Sequence, residues 1–429
     1  MRTMISNLPR DLIEEIISRV PLKFMKAVRL TCKTWNNLSK SEFLRKRITR
    51  EGETMMIAIR NHNLYLMRVV VDGVDPSIEL KGKLNCIVVD DVDHSMEGQL
   101  SFLNDEVNIT EVLHFEGLLL FILRDVTRIV VWNPYWGQTV WIKLRYSHLP
   151  RGIDRFSYAL GYEDKESCRK NKLLRFIDYF FKEPENQFFW YEIYDFDSGL
   201  WTTLDVTPHW RIYCCSHGVS LKGNTYWCAA KRSSECYTNH IICFDFTRER
   251  FGPLLPLPAL EVRDHEDGNW TLSCVKEEKL VALFQPYYAY ELEIWITIKI
   301  NVEMVSWSKF LRMDTGPRIN VPHTFFIDEE KKVYMDFNED YDSDSDSDIR
   351  KQSINIIGEA GYLKKMDTGV PEDQYGRQRD CSYVPNLVQI SKPLQGKRIK
   401  ESRLEKRRFN QNRSRLATIE KLLKKDRDW

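Results

Sequence analysis

Beyond residue 50 the sequence is a succession of short apolar runs in which an aromatic residue recurs at a nearly constant interval. The recurring residues are Trp132, Tyr194, Phe244 and Trp295, which lie 62, 50 and 51 residues apart. The runs are rich in β-branched and aromatic residues and are separated by Asn, Asp and Gly, as is typical of strands joined by turns. Up to about Ile390 there is little sign of a long amphipathic helix, so the sequence predicts an all-β domain.

The interval is close to the length of one four-stranded blade of a kelch-like propeller. A single blade cannot bury both of its faces, so blades stack around an axis and large aromatic residues fill the space between neighbours. We therefore predict an all-β, kelch-like β-propeller of about six blades. Its core should contain most of the tryptophans of this region, namely Trp132, Trp201, Trp227, Trp295 and Trp307. A large β-sandwich is the alternative all-β fold, and it fits the repeat less well.

The first fifty residues follow a different, helical period. A wide apolar stripe at the 3.6-residue spacing of an α-helix is formed by Leu12, Ile13, Ile16, Ile17 and Val20. Two further short helices are predicted before residue 50. A helical segment of this size cannot hide so many large apolar groups from water on its own. Two interpretations stay open from the residues alone: the stripe packs against the rest of this chain, or one face of it docks a partner protein.

The same segment also carries a specific motif. Residues 8–21, with the sequence LPRDLIEEIISRVP, and residues 27–36, with AVRLTCKTWN, closely resemble the F-box. The resemblance implies a small all-α module of three helices that docks on the Skp-type adaptor of a Skp–cullin–F-box ubiquitin ligase, and through it reaches the cullin. By matching position, the residues implied to face the adaptor or to form the module are Leu8, Pro9, Leu12, Ile16, Ile17, Pro21, Val28, Cys32 and Trp35.

Several stretches of the β region are similar to the F-box-associated domain that follows the F-box in a large family of plant proteins. They include residues 131–139, with VWNPYWGQT, and residues 244–251, with FDFTRERF. The resemblance implies that this domain binds the protein to be ubiquitinated, and it carries over no specific binding residue. We therefore expect a substrate-recognition adaptor with an F-box at 1–50, a propeller-like domain at 51–390 and a tail at 391–429.

The chain is neutral only on average. It has 63 Lys and Arg against 62 Asp and Glu, a formal net charge of +1, which excludes a protein that is basic along its whole length. Residues 392–429 hold 14 basic and 5 acidic residues, hence +9, so the remainder carries −8. Three interpretations of this basic, partly helical or disordered tail stay open: a nuclear-import signal, a solvated arm, and a contact with nucleic acid. The contact with nucleic acid is the least favoured of the three. It corresponds to an alternative function, that of an RNA-associated protein that uses the β domain as a scaffold.

A second charged segment interrupts the β region. Six acids stand among residues 339–348, in a run that alternates Asp and Ser. The run has neither the glycine at the sharp turn nor the closing Glu of a calcium loop, so it predicts a solvated loop between two strands. Ser343, Ser345 and Ser347 precede acids, and we regard them as hypothetical sites of an acid-directed kinase.

No local motif points to catalysis. The phosphate-binding glycine loops, the G-x-S-x-G elbow and the H-E-x-x-H zinc motif are missing, and the ten cysteines form no C-x-x-C pair. We predict a non-catalytic subunit with no cofactor and no metal, and a glycan-binding propeller is the remaining alternative. Because neither a secretory signal nor a membrane-length apolar run is found, we expect a protein of the cytoplasm, the nucleus or both, without a membrane partner.

Overall fold

The structure is a computed structural model that describes the chain in separate ranges. They are residues 9–20, 25–38, 53–60, 63–70, 77–84, 109–124, 127–146, 156–165, 168–179, 187–212, 217–232, 240–259, 268–276, 278–287, 290–315, 324–341, 350–359, 363–371, 380–384, 389–391 and 401–425. Among the residues named above, Leu8, Pro21 and the three serines of the acidic run lie outside these ranges.

The described residues form four helices and twenty-six strands. The helices are α1 (Arg10–Ser18), α2 (Met25–Thr31), α3 (Lys33–Leu38) and α4 (Arg403–Lys425). The strands are β1 (Glu53–Arg60), β2 (Asn63–Val70), β3 (Ser77–Leu84), β4 (Ile109–Phe115), β5 (Leu118–Leu123), β6 (Arg128–Asn133), β7 (Gln138–Lys143), β8 (Ser157–Lys165), β9 (Cys168–Tyr179), β10 (Phe188–Asp195), β11 (Leu200–Leu204), β12 (Trp210–Ile212), β13 (Val219–Leu221), β14 (Asn224–Lys231), β15 (His240–Asp245), β16 (Arg250–Phe251), β17 (Leu255–Pro256), β18 (Gly268–Val275), β19 (Lys279–Pro286), β20 (Glu291–Ile300), β21 (Val305–Asp314), β22 (Phe325–Asp328), β23 (Val333–Tyr341), β24 (Arg350–Gly358), β25 (Leu363–Pro371) and β26 (Asp380–Ser382).

These strands form six antiparallel sheets. The first has the order β26-β1-β2-β3, and the second, third, fifth and sixth follow the chain through β4–β7, β8–β11, β18–β21 and β22–β25. The fourth has a four-strand path, β12-β14-β15-β16, to which β13 and β17 are added. The prediction of a helical N-terminal module followed by an all-β domain of about six blades is confirmed.

The recurring aromatic residue marks the third strand of a blade: Trp132 lies in β6, Tyr194 in β10, Phe244 in β15 and Trp295 in β20. In three of these strands the next residue is Asn or Asp, whose side chain accepts a hydrogen bond from a backbone N–H three residues on. These residues are Asn133, Asp195 and Asp245. Such turns reverse the chain into the fourth strand, so the repeat in the sequence reflects one strand and the turn that follows it.

Two hairpins show why particular turn residues are needed. Glu116-Gly117 joins β4 to β5, and Lys222-Gly223 joins β13 to β14, with positive φ at all four residues. Two-residue turns of this kind match the twist of the strands that they connect. At Gly223 a side chain is also excluded by space, because a Cβ there would lie 2.7 Å from Cε2 of Tyr162.

The chain divides into two compact units, each with its own apolar core. The first contains Met1–Ser147 and Thr324–Ile390, and the second contains His148–His323 and Ser391–Trp429. The first unit therefore holds α1 to α3 with the first, second and sixth sheets, and the second unit holds the other three sheets with α4. The tryptophans predicted for the core are buried, as Trp132, Trp201 and Trp227 are, or packed against a core cluster, as Trp295 and Trp307 are.

Part of the basic tail is an ordered helix of the second unit. In α4 the side chains of Leu416 and Ile419 are buried, and so is the carboxylate of Glu405. The prediction of a partly helical tail is confirmed. From Glu405 to Ile419 the helix is not a solvated arm, because its buried side chains show that it is held by packing.

Candidate adaptor-docking surface on the N-terminal helices

Helix α1 divides its apolar stripe into two ridges. Ile13 and Ile17, four residues apart, are buried to 3% and 0% exposure. Leu12 and Ile16 form the neighbouring ridge and remain 51% and 41% exposed. Residues four apart lie one above the other on a helix. The helix therefore has an inner ridge that the chain covers itself and an outer ridge that it leaves to solvent.

The inner ridge packs against the β domain of the same unit. Ile13 and Ile17 belong to one buried cluster with Ile57 of β1, Trp132 of β6 and Tyr383 after β26. Burying an isoleucine side chain stabilises a fold by about 1.5–3 kcal/mol. The two residues therefore contribute to holding a helix of nine residues that would be marginal in water alone.

Helices α2 and α3 pack against the same core cluster, each with one side only. Val28 and Trp35 are partly buried against the cluster that contains Ile17. Leu30, in contrast, is 80% exposed, and Cys32, between the two helices, is also exposed. The module is therefore attached through one side, and large apolar groups remain on the other.

One charged residue fixes α2 to the second sheet. The Arg29 guanidinium carbon lies 4.1 Å from the ring centre of Trp136 and 4.4 Å from that of Tyr135. Its Nη1 also donates a hydrogen bond to the Tyr135 carbonyl oxygen. Burial lowers the pKa of Arg29 from its usual value of 12.5 and raises that of Tyr135 above 10.0. The arginine nevertheless stays charged at neutral pH, so the cation–π contact persists.

A histidine of β4, His114, packs against the same core cluster. The ring of His114 meets that of Tyr383 edge-on at 5.7 Å, and its Nε2 accepts a hydrogen bond from the Gly117 N–H at 2.8 Å. Burial lowers the pKa of His114 to about 4. The imidazole is therefore neutral at physiological pH and acts as part of the packing.

The outer apolar set consists of Leu12, Ile16 and Leu30. Only seven large hydrophobic side chains are exposed among the residues that the structure describes, and three of the seven belong to this set. Helix α1 also carries exposed charges: Arg19 and Glu15 form an ion pair of 2.6 Å. Exposed apolar side chains on a helical module, with charged ones among them, are typical of a protein-docking site.

The nine residues implied by the F-box resemblance therefore have different positions. Pro9 is exposed as the N-cap of α1, where its missing N–H costs nothing. Leu12, Ile16 and Cys32 face solvent, whereas Ile17, Val28 and Trp35 support the module from inside. Leu30 and Arg29 were not among the predicted residues. The spacing of the sequence does not single them out. Both the exposure of Leu30 and the ring contact of Arg29 depend on how the helices pack against the folded β domain.

The described residues contain no group of three or more His, Cys, Asp or Glu that could hold a metal ion. Burial raises the pKa of the Cys228 and Cys243 thiols to about 12, so both stay protonated and unreactive. No described helix has the length and apolar content that crossing a membrane would require.

Known proteins are similar to this chain over both of its parts. Residues 5–47 match the F-box domain family, and residues 55–390 match the F-box associated beta propeller domain family. F-box protein At2g38590 of Arabidopsis thaliana is 60% identical, with 98% of this chain and 99% of that protein covered. F-box/kelch-repeat protein At4g33290 of the same plant is 53% identical, with 95% of each chain covered. The chain therefore belongs to the plant F-box proteins that carry an F-box associated β-propeller domain.

Proposed function

We propose that this protein is a substrate-recognition subunit of a Skp–cullin–F-box ubiquitin ligase, and that Leu12, Ile16 and Leu30 contact the Skp-type adaptor. The observation that carries the proposal is the exposure of Leu12 and Ile16 beside a buried Ile13 and Ile17. If a partner covered the outer apolar set, the gain would be on the order of 4 kcal/mol, given the exposed fractions of the three side chains. A few apolar anchors of this kind commonly carry most of an interface energy.

In this role the protein makes and breaks no bond itself. The adaptor links the helices to the cullin, and the β domain holds the target protein near the ubiquitin-loaded enzyme. Such tethering raises the effective concentration of the target and so accelerates a reaction catalysed elsewhere. The attachment of α1 and α2 to the first and second sheets supports this role, because a firmly attached module transmits the position of the adaptor to the domain.

The test is a double substitution on the outer ridge, Leu12→Asp with Ile16→Asp. Each carboxylate would lose its water on docking without gaining a partner, which costs several kcal/mol. We expect co-purification with a Skp-type adaptor to be lost while the thermal unfolding of the protein stays close to that of the wild type.

The matched control is Ile298→Asp with Met304→Asp, which changes two other exposed apolar residues, 67% and 55% exposed, in the second unit. This control should bind the adaptor as the wild type does. Undiminished co-purification of the α1 double variant would refute the proposed docking surface.

A further inference from the structure

Helix α4 is held against the outer strand of the third sheet by specific contacts. The Glu405 carboxylate accepts hydrogen bonds from the backbone N–H of Thr203, at 2.8 Å, and from its hydroxyl, at 2.7 Å. Thr203 lies in β11, the last strand of that sheet, so the carboxylate satisfies a donor on a sheet edge. Phe409 meets the ring of Trp190 edge-on at 5.6 Å. With Leu416 buried as well, these contacts define which face of α4 is turned to solvent.

That solvent-facing side is cationic. Helix α4 has nine Lys and Arg against two Glu, and one of those two, Glu405, is the buried residue that bonds to Thr203. At intervals of three and four residues, one side of the helix presents Arg403, Lys406, Arg407, Asn410, Gln411 and Ser414. We call these six residues the basic face. Its three cations are exposed, and among the described residues none forms an ion pair with them.

The basic face has the length of a short peptide. From Arg403 to Ser414 the helix rises about 16 Å, which equals about five residues of an extended chain. A nucleic acid is much longer than this face, and the other residues of the chain, 1–391, carry a net charge of −8, which opposes the long-range attraction of a polyanion. A short acidic segment of a protein fits within the face. Its carboxylates can be bound in a bidentate manner by the guanidinium groups of Arg403 and Arg407, and by the amide side chains of Asn410 and Gln411 one turn further along the helix.

We propose that the basic face of α4 is a docking surface for an acidic segment of another protein. The helix is already ordered by its contacts with the third sheet, so binding does not have to order it, which favours affinity. The identification of the bound protein as a target for ubiquitination rests on the proposed function. The recognition of an acidic segment by α4 is independent of that function.

The experiment measures binding of a fluorescein-labelled polyglutamate peptide to the full chain by anisotropy, at low and at physiological salt. The triple variant Arg403→Gln, Lys406→Gln, Arg407→Gln removes three charges from the basic face and leaves Glu405, Phe409 and Leu416 in place. We expect about tenfold weaker binding, equivalent to about 1.4 kcal/mol, and a weaker salt dependence than that of the wild type.

The matched control is Lys222→Gln, Arg250→Gln, Lys299→Gln, which removes three exposed charges from the same unit. It should bind the peptide as the wild type does. The proposal is overturned if the α4 triple variant keeps full affinity or if the control loses as much. Tighter binding of a single-stranded RNA of equal charge would also overturn it, in favour of a nucleic-acid surface. Circular dichroism checks that α4 stays helical in both triple variants.

Two further measurements separate this proposal from the function of the N-terminal helices. The variant Leu12→Asp with Ile16→Asp should bind the peptide normally, and the α4 triple variant should still co-purify with the adaptor. If only the peptide result fails, the inference about α4 is wrong and the adaptor role stands. If only the adaptor result fails, the proposed adaptor role is wrong and the inference about α4 stands.

Discussion

Helices α1 and α4 attach to the β domain in the same way and differ in what they leave exposed. Each buries a pair of aliphatic side chains within its own unit, Ile13 and Ile17 in α1, Leu416 and Ile419 in α4. The outer side of α1 is apolar and that of α4 is cationic. Since the buried stripes are similar, the exposed side is what distinguishes the partners that we propose for the two helices. An apolar surface suits a stable protein interface, and a cationic one suits an acidic ligand.

The N-terminal helices and α4 are each also anchored by one charged residue, Arg29 of α2 and Glu405 of α4, and the two are of opposite sign. Arg29 donates to the carbonyl oxygen of Tyr135 and lies over the ring of Trp136. Glu405 accepts from the N–H and the hydroxyl of Thr203. Apolar contact has no preferred direction, whereas a hydrogen bond requires a definite geometry. A charged anchor therefore sets the orientation of a helix that hydrophobic packing alone would hold more loosely.

The largest effect should come from the inner ridge of α1. We expect Ile17→Ala to lower the free energy of unfolding by about 2–5 kcal/mol, because it leaves a cavity in a fully buried cluster. Ile16→Ala, one residue away, should cost less than about 1 kcal/mol and should instead weaken adaptor binding. Urea denaturation of both variants measures the difference. Equal destabilisation by the two substitutions would mean that the division of α1 into two ridges is incorrect.

A smaller effect on the free energy of unfolding should appear with pH, through His114 of β4. The pKa of His114 is about 4 in the folded protein and about 6.5 when unfolded. As the pH falls from about 6.5 to about 4, the unfolded chain takes up the proton first, so stability is lost over this window, by on the order of 3 kcal/mol. We expect His114→Gln to flatten this part of the stability profile.

The difference between the two pH profiles isolates the histidine. Burial raises the pKa of Asp336 to about 6. This residue therefore has the opposite effect: its contribution to the free energy of unfolding is lost as the pH rises. It is present in both proteins, so its effect cancels when one profile is subtracted from the other. Parallel profiles for the wild type and His114→Gln would contradict the buried, neutral state of the imidazole.

The smallest effect should come from the charged anchor of α4. Glu405→Ala removes the acceptor of the Thr203 N–H, which costs about 1–3 kcal/mol when the donor stays buried. We expect faster amide hydrogen exchange at Thr203 and along α4, with no change at α1. Glu405→Gln keeps a carbonyl acceptor and should restore most of the protection. Equal exchange in the Ala variant and the wild type would show that packing alone holds the helix.

The sequence repeat predicted the fold well because it records local structure. An aromatic residue in a third strand, followed by an Asx turn, needs only neighbouring residues, so Trp132-Asn133, Tyr194-Asp195 and Phe244-Asp245 are visible in the sequence. The sixth sheet escaped this signal because its third strand, β24, holds Ile354, Ile356 and Ile357 in place of an aromatic anchor. The docking of α4 was also hidden, since its many charges resemble those of a solvated arm.

The sequence alone determined the strands, the turns and the helical periods, because backbone preferences and side-chain spacing act over a few residues. Only the tertiary structure decided that Ile17 is covered and Ile16 is not, because the core cluster that contains Ile17 is assembled from distant parts of the chain, including Tyr383, which follows β26. The same holds for Glu405, whose partner Thr203 lies in another part of the chain. Burial depends on contacts between residues that are distant in the sequence, and a local sequence pattern does not specify those contacts.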